Sequence, residues 1–263
     1  MAVTMRNMIR HSMVSNGVHP WGIATFLELS FREPCVALII GIRELDSLEY
    51  EKVHQTRVAI RTLQAYLETF DEFLNPRNAR EFHAWLKDTH KSLTHIRNLD
   101  VFSELIRSAE VAVADKQLVN EFITEQRVEE TAKLLPKLTP EVIMESVHRI
   151  EIFSSRLPLR NKILNKKIET QHKLLLSAVG NTWGSFTALR KKFMKNQTPK
   201  RMHRLRISAK NVRYVYELCN RMGLIEHPKR LREVIALQDQ LGTNNDIYNF
   251  RQWLRLNGLN GYE

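Results

Sequence analysis

Apolar residues recur along this chain at the three- and four-residue spacing of amphipathic α-helices, and sustained β alternation is absent from the sequence. After Asp46, an apolar stripe passes through Val53, Ile60 and Leu67, which is the pattern of a helix docked on a core. The same spacing recurs after Thr198. We therefore predict an all-α fold.

Capping residues and prolines divide the chain into helices. Asp46, with Glu49 three residues later, is typical of an N-cap and capping box. Thr-Pro pairs at 139–140 and 198–199 each place a capping hydroxyl before a proline at the first helical position. With the apolar periodicity, these signals predict helices near residues 20–32, 46–74, 77–108, 114–135, 140–155, 159–179, 182–195, 198–222, 228–241 and 244–257.

The composition agrees with long helices. The 263 residues include only 9 glycines and 8 prolines, about half the combined share that is usual in folded proteins. A hydrophobic content of 43% is enough for one large or two smaller globular units, and it argues against intrinsic disorder.

The apolar segments and the cysteines indicate the compartment. The longest nearly uninterrupted apolar run, Cys35 to Ile42, is far shorter than the roughly 20 residues needed to span a bilayer. Residues 1–17 contain no apolar leader region. Cys35 and Cys219 are the only cysteines, so there is no disulfide framework and no thiolate zinc site. We expect a soluble, cytoplasmic protein with no membrane association and two buried thiols.

The positive charge is concentrated in one segment. The chain has 40 Lys and Arg residues against 29 Asp and Glu, a net charge of +11. The segment from Thr170 to Tyr216 contains no acidic residue and eleven basic ones, which equal the whole excess. A solvated basic face is one explanation. An anionic partner is favoured, because so much charge in one segment repels itself unless an anion neutralises it.

Two helices carry a histidine and basic residues on the shoulder of their packed face, where side chains are half-buried and can line a cleft. The shoulder residues are His54, Arg57, Arg61 and Gln64 on the first helix and His203, Arg206, Lys210 and Arg213 on the second.

These shoulders belong to an internal repeat. His54-x-x-Arg57-Val-Ala-Ile-Arg61 aligns with His203-x-x-Arg206-Ile-Ser-Ala-Lys210 at an offset of 149 residues. A second pair of segments, 93–100 and 241–246, aligns at an offset of 148. Two motifs in the same order at nearly the same separation indicate two homologous halves, with pseudo-two-fold symmetry and basic shoulders that face a shared space.

With these motifs the chain resembles the CHAD family, the conserved histidine α-helical domain. The resemblance rests on the two histidine motifs, on Arg97-Asn98-Leu-Asp100-Val101 and on the Leu-Gln-Asp-Gln-Leu-Gly segment at 237–242, and it spans about residues 46–251. It implies two homologous four-helix bundles around a basic central cavity that binds inorganic polyphosphate, at polyphosphate granules. The expected division is an N-terminal helical segment (1–45) and two helical halves (46–135 and 136–263) in one composite domain.

Two residues depart from the family pattern. Gln64 replaces the usual third basic residue of the first half, and Asn98 replaces the usual aspartate after the arginine. We therefore expect the first half to hold the polymer less strongly than the second.

The resemblance and the charge pattern together define the candidate site. Polyphosphate offers only charge density and geometry, and basic residues at helical spacing point donors at successive phosphates. The expected polyphosphate-binding residues are His54, Arg57, Arg61, Arg97, Lys200, Arg201, His203, Arg204, Arg206, Lys210, Arg213 and Tyr214. The expected supporting residues, which offset repulsion and orient the basic side chains, are Asp100, Asp239, Asn245 and Asp246.

The histidines admit other roles. A buried histidine bonded to a backbone carbonyl is the alternative for His54 and His203, although their recurrence in both repeats favours anion contact. His83, His90 and His95 are interpreted as core or surface histidines. A metal site that combines the carboxylates with His54 or His203 is disfavoured, because no HxxxH, HExxH or HD spacing is present. We expect neither a metal nor another cofactor.

Three classes of function follow. The first is a non-catalytic polyphosphate-binding module. The second is nucleic-acid binding, which the charge favours, although helix-turn-helix, RNA-recognition and zinc-finger patterns are absent. The third is an enzyme that acts on polyphosphate, with His203 as phosphoryl acceptor or with Asp/His metal ligands, although an acidic cluster for divalent ions is missing.

Overall fold

The structure, a computed structural model, describes residues 22–109, 112–225 and 227–259. These residues form ten α-helices and contain no β-strand, which confirms the predicted all-α class. The helices are α1 Ile23–Arg43, α2 Tyr50–Thr69, α3 Pro76–Ser92, α4 Thr94–Ser108, α5 Val113–Leu134, α6 Pro140–Ser155, α7 Asn161–Leu164, α8 Ile168–Lys195, α9 Pro199–Arg221 and α10 Pro228–Leu256. Residues 1–21 of the predicted N-terminal segment lie outside the described residues.

Two of the predicted helix starts are confirmed, and a third is wrong. The Thr139 and Thr198 hydroxyls accept hydrogen bonds from the first turns of α6 and α9, and a proline follows each threonine. The predicted start at Asp46 is wrong, because Asp46 lies in an exposed turn and α2 begins only after Glu49. The turn is held by burial of Leu48, which adopts a positive φ of 49° before the helix starts.

Three helices are longer than predicted. Helix α1 continues past Pro34 to Arg43, α8 joins two predicted helices through Gly180, and α10 joins two others through Gly242. In each case buried residues continue on both sides of the expected break, so packing against neighbouring helices outweighs the weak local helix propensity of proline or glycine. In the opposite direction, the predicted helix 77–108 is divided at Leu93 into α3 and α4.

Most helices share one large hydrophobic core. Helix α2 packs against α1, α3 and α9, while α9 also packs against α8 and α10. Ile60 and Leu63 of α2 and Leu205 and Val212 of α9 are completely buried in this core. The basic shoulders of α2 and α9 therefore border a direct contact between the two helices.

A second, smaller core lies where α4, α5 and α10 meet. Its buried residues include Phe102 of α4, Ile123 of α5 and Phe250 of α10. Helix α10 contributes to both cores, because Val234 and Leu241 belong to the large core while Phe250 and Leu254 belong to the small one.

Candidate functional site

The contact between α2 and α9 brings basic side chains of both repeats together. Burial of Thr56, Ile60 and Leu63 turns one shoulder of α2 toward α9, and burial of Leu205 and Ala209 turns the matching shoulder of α9 toward α2. Arg97, from the start of α4, adds a third arginine to the two on α2. We define the basic cluster as Arg57, Arg61, Arg97, Arg206 and Lys210, with the neighbouring imidazoles of His54, His90 and His203.

The cationic side chains of the cluster lower one another's pKa values. Burial, together with the charges of Arg206 and Arg61, lowers the pKa of Lys210 to about 8, although Asp246 opposes the shift. Burial and the neighbouring arginines lower the pKa of Arg57 to about 10. The arginines remain charged at neutral pH, so the cluster is a partly desolvated concentration of positive charge.

Hydrogen bonds to the α3–α4 junction fix Arg57. Its Nη1 donates to the His90 carbonyl at 2.9 Å and to the Thr94 hydroxyl at 3.0 Å. Arg61 has a weaker partner, because its Nη1 lies 3.4 Å from Gln64 Oε1. Gln64, one of the two residues that depart from the family pattern, is therefore an acceptor for Arg61 rather than a third cation.

Two arginines of the cluster have enclosed nitrogen atoms without partners. Arg206 Nε and Arg97 Nη1 are both shielded from solvent, and neither has a hydrogen-bond acceptor among the described residues. The Arg97 guanidinium lies over the ring of Tyr50, 4.5 Å from its centroid. Buried donors that lack acceptors are costly, more so when they are charged, and an anion between them would supply the missing acceptors.

The imidazoles of the cluster are neutral at neutral pH. His54 is half-buried and His203 is more exposed, and for both of them partial loss of solvent and the nearby cations lower the pKa. A hydrogen bond with Asn245 opposes the shift of His203. His90 is affected most, because burial and the charges of Arg57 and Arg61 lower its pKa to about 3. Neutral imidazoles can each donate one N–H to a phosphate oxygen without adding to the repulsion.

The prediction of a core or surface role for His90 missed its place beside Arg57, Arg61, Lys210 and Arg206. His90 belongs to no repeat motif and to no basic row. Its position one turn before Thr94, close to the Arg97 motif, is the only sequence signal that points to the site. His83 lies 3.7 Å from Glu68, and His95 is exposed.

The predicted supporting residues have different surroundings. The Asp246 carboxylate opposes the lowering of the pKa of Arg206 and Lys210. The Asn245 amide donates a hydrogen bond to Asp246 at 3.3 Å, and Asn245 also hydrogen-bonds His203, so Asn245 links these two side chains. Asp239 instead interacts with Arg213, whose pKa its charge helps to raise.

Asp100 pairs with a residue outside the cluster. Its Oδ1 accepts from Arg127 Nε at 2.7 Å, and the same guanidinium donates to the Leu48 carbonyl at 2.8 Å. Asp100 therefore joins α4, α5 and the turn before α2.

The remaining predicted binding residues lie at the edge of the cluster or on the surface. Tyr214 is mostly buried and interacts with Arg61 and Arg206. Arg213 is paired with Glu217 at 2.8 Å. Lys200 and Arg204 are exposed. Arg201 donates to backbone carbonyls at the end of α8 and just beyond it.

Two further properties concern the described residues as a set. Among them there is no group of three or more histidine, cysteine, aspartate or glutamate side chains that could hold a metal ion. None of the described helices is both long enough and apolar enough to cross a membrane.

Comparison with known proteins agrees with this architecture. The CHAD domain family model matches residues 41–255. Two solved structures have similar folds. PptA from Streptomyces chartreusis has a TM-score of 0.68 at 14% sequence identity, over 88% of this chain and 85% of that one. The CHAD domain from the plant Ricinus communis has a TM-score of 0.60 at 16% identity, over 95% of this chain and 88% of that one. No curated protein sequence matches. The family match covers most of the chain, and the protein therefore belongs to the CHAD domain family.

Proposed function

We propose that this protein binds inorganic polyphosphate at the basic cluster and does not cleave or extend it. The observation that carries the proposal is the pair of enclosed arginine donors, Arg97 Nη1 and Arg206 Nε, which have no acceptor among the described residues. Both lie among cationic side chains from the two repeats. Phosphate oxygens are strong acceptors with the geometry that guanidinium groups bind best.

The amount of charge favours a polymeric anion over a single phosphate. Five cationic side chains from α2, α4 and α9 repel one another. The carboxylate of Asp246 offsets part of the charge of Arg206 and Lys210. A chain with roughly one charge per phosphate can neutralise several cations in succession, and it releases counterions at each contact.

The aromatic residues near the basic segment favour polyphosphate over nucleic acid. Single-stranded nucleic acids gain much of their affinity by stacking bases on exposed aromatic rings. Here a guanidinium already lies over the ring of Tyr50, and Arg230 lies over Trp183, 5.0 Å from its centroid. Binding to polyphosphate would locate the protein in the cytoplasm, at polyphosphate granules.

The deciding experiment is a competition titration. Labelled polyphosphate on the full chain is displaced by unlabelled polyphosphate, single-stranded RNA or duplex DNA at equal phosphate concentration, across a series of salt concentrations. We expect polyphosphate to compete best and affinity to fall steeply with salt. Preferential displacement by RNA or DNA would replace polyphosphate with nucleic acid as the ligand, and a flat salt response would contradict an electrostatic site.

A second measurement tests the absence of turnover. Polyphosphate of defined length is incubated with the protein and magnesium or manganese, and its length is followed on gels. We expect no change of length. Shortening or lengthening that His203→Ala abolishes would make His203 catalytic and overturn the binding-only proposal.

A further inference from the structure

Lys210 is the one lysine among the five cations of the cluster, and its amine has no hydrogen bond or salt bridge with any described residue. It is half-buried in the second repeat helix, one turn after Arg206. The charged and titratable groups that act on it or feel its charge are Arg57, Arg61 and His54 of α2, His90 of α3, Arg206 of α9 and Asp246 of α10.

These neighbours make the Lys210 amine a nucleophile. Its pKa of about 8 leaves roughly a tenth of the amine neutral at pH 7, whereas an ordinary lysine is neutral in well under a thousandth of molecules. A lysine that is desolvated and placed beside other cations is the usual form of an activated amine in proteins.

The same neighbours can hold a phosphate group next to this amine. Among the residues that the structure describes, the enclosed Arg206 Nε has no acceptor, and Arg61 has only a long hydrogen bond to Gln64. Arg206 and Lys210 are one turn apart on the same side of α9, and α9 packs against α2, which carries Arg61. An anion held by the two guanidinium groups therefore lies close to the Lys210 amine, whose pKa both groups lower. A reagent that carries a phosphate as leaving group would therefore be oriented for attack.

We propose that Lys210 is a modification site for small acyl phosphates, whose phosphate is held by Arg206 and Arg61 while the lysine amine attacks the adjoining carbonyl carbon. A C–N bond forms, the C–O bond to phosphate breaks, inorganic phosphate leaves, and the nitrogen loses one proton to solvent. The product is a neutral amide, which removes one charge from the cluster and weakens polyphosphate binding. This inference rests on the proposed function in so far as both require the cluster to hold phosphate groups.

The experiment compares two acetyl donors on the full chain, acetyl phosphate and acetic anhydride, which carries no phosphate. Mass spectrometry measures acetylation of Lys210 relative to Lys200, an exposed lysine on the same helix. We expect the Lys210-to-Lys200 ratio to be at least tenfold higher with acetyl phosphate than with acetic anhydride. Arg206→Gln should reduce this selectivity severalfold, while Arg80→Gln, which changes an exposed arginine of α3 outside the predicted site, should leave it unchanged.

The wild-type comparison decides the matter without any variant. Equal ratios for the two donors, or equal acetylation of Lys200 and Lys210 by acetyl phosphate, would overturn the proposal. Polyphosphate binding by the unmodified protein is measured in parallel. If polyphosphate binds and Lys210 shows no selectivity, the modification site is wrong and the binding function stands. If Lys210 is selectively acetylated without polyphosphate binding, the modification site stands and the binding function fails.

Discussion

Arg206 and Arg57 occupy matching positions in the two repeats but are satisfied differently. Arg57 already donates to the His90 carbonyl and the Thr94 hydroxyl, whereas Arg206 Nε is enclosed and has no acceptor in the described part of the chain. A side chain whose donors are free can give them to a ligand without breaking an internal hydrogen bond. The second repeat should therefore contribute more to anion binding, as the replacement of a basic residue by Gln64 also predicts.

Replacing Arg206 by glutamine should weaken polyphosphate binding by about 1.5 to 3 kcal/mol, or roughly ten- to a hundredfold, because a charge-assisted contact in a desolvated site is lost. Arg57→Gln should weaken binding less and lower the melting temperature more. The affinity of each variant is measured by titration, with Arg80→Gln, at an exposed arginine outside the predicted site, as the control. Wild-type affinity in a folded Arg206→Gln variant would contradict the assignment of the site.

Replacing His90 by glutamine should flatten the pH dependence of stability. A pKa of about 3 in the folded protein, against 6.5 unfolded, means that the unfolded chain binds the proton more readily. The stability due to neutral His90 is thus complete above pH 6.5 and is lost as the pH falls toward 3. When the pH is lowered from 7 to 5, the free energy of unfolding of the wild type should fall by about 1 to 2 kcal/mol more than that of His90→Gln. Urea unfolding of both proteins measures this difference. An equal slope in both proteins would place His90 away from the cations, and exposed His95→Gln is the control.

The sequence could predict some residues of the cluster and not others. His54, Arg57, Arg61, Arg206 and Lys210 follow from helical periodicity and from the repeat, because both depend on local spacing. His90 and the unpaired nitrogen atoms depend on how α3 and α4 meet α2, a tertiary relation that has no periodic signal. Lys200 and Arg204 are also predicted binding residues, and they are exposed, unlike the enclosed nitrogen atoms of Arg97 and Arg206.

At the scale of helices, α1 and α2 approach closely at Gly41. A Cβ atom at this position would overlap the Thr56 hydroxyl and lie 3.2 Å from the Thr56 backbone. Gly180 of α8, in contrast, faces open space. One glycine thus sets a helix–helix distance, while the other only weakens its helix.

Gly41→Ala should therefore destabilise the protein by about 1 to 3 kcal/mol through overpacking. Gly180→Ala should stabilise it by about 0.5 to 1 kcal/mol, since alanine has the higher helix propensity. Chemical denaturation of both variants measures the two changes. Equal effects would show that α1 and α2 are not in close contact at Gly41.

Helix ends show where local signals suffice. Thr139 and Thr198 cap their helices as predicted, because a cap is a local hydrogen bond. The breaks expected near Pro34 and Gly242 do not occur, because buried residues on both sides hold α1 and α10 in register with their neighbours. Local propensity cannot show how much packing will oppose it.

In the molecule as a whole, Arg127 holds three parts of the chain together through Asp100 and the Leu48 carbonyl. Asp100→Asn should destabilise the protein by about 3 kcal/mol. The Asp100 side chain is only 3% exposed, and the neutral amide leaves the Arg127 guanidinium without its negatively charged partner. Polyphosphate affinity should stay within about twofold of the wild type. Thermal melting measures the stability of the variant, and titration measures its affinity for polyphosphate. The control is Glu145→Gln, which breaks the exposed pair with Arg149 and should change stability by less than about 1 kcal/mol. A large loss of affinity in a folded Asp100→Asn variant would place Asp100 in the binding site.

Helix α10 runs unbroken from the large core, past Asn245 and Asp246 beside the cluster, into the small core at Phe250 and Leu254. A ligand that restrains its middle should therefore damp local opening at its far end. Amide hydrogen exchange of residues 247–256 should slow when polyphosphate binds, although none of these residues belongs to the basic cluster. An unchanged exchange rate there, with slower exchange in α2 and α9, would mean that the small core opens independently of the site. The two cores would then be separate units of exchange joined only by a helix.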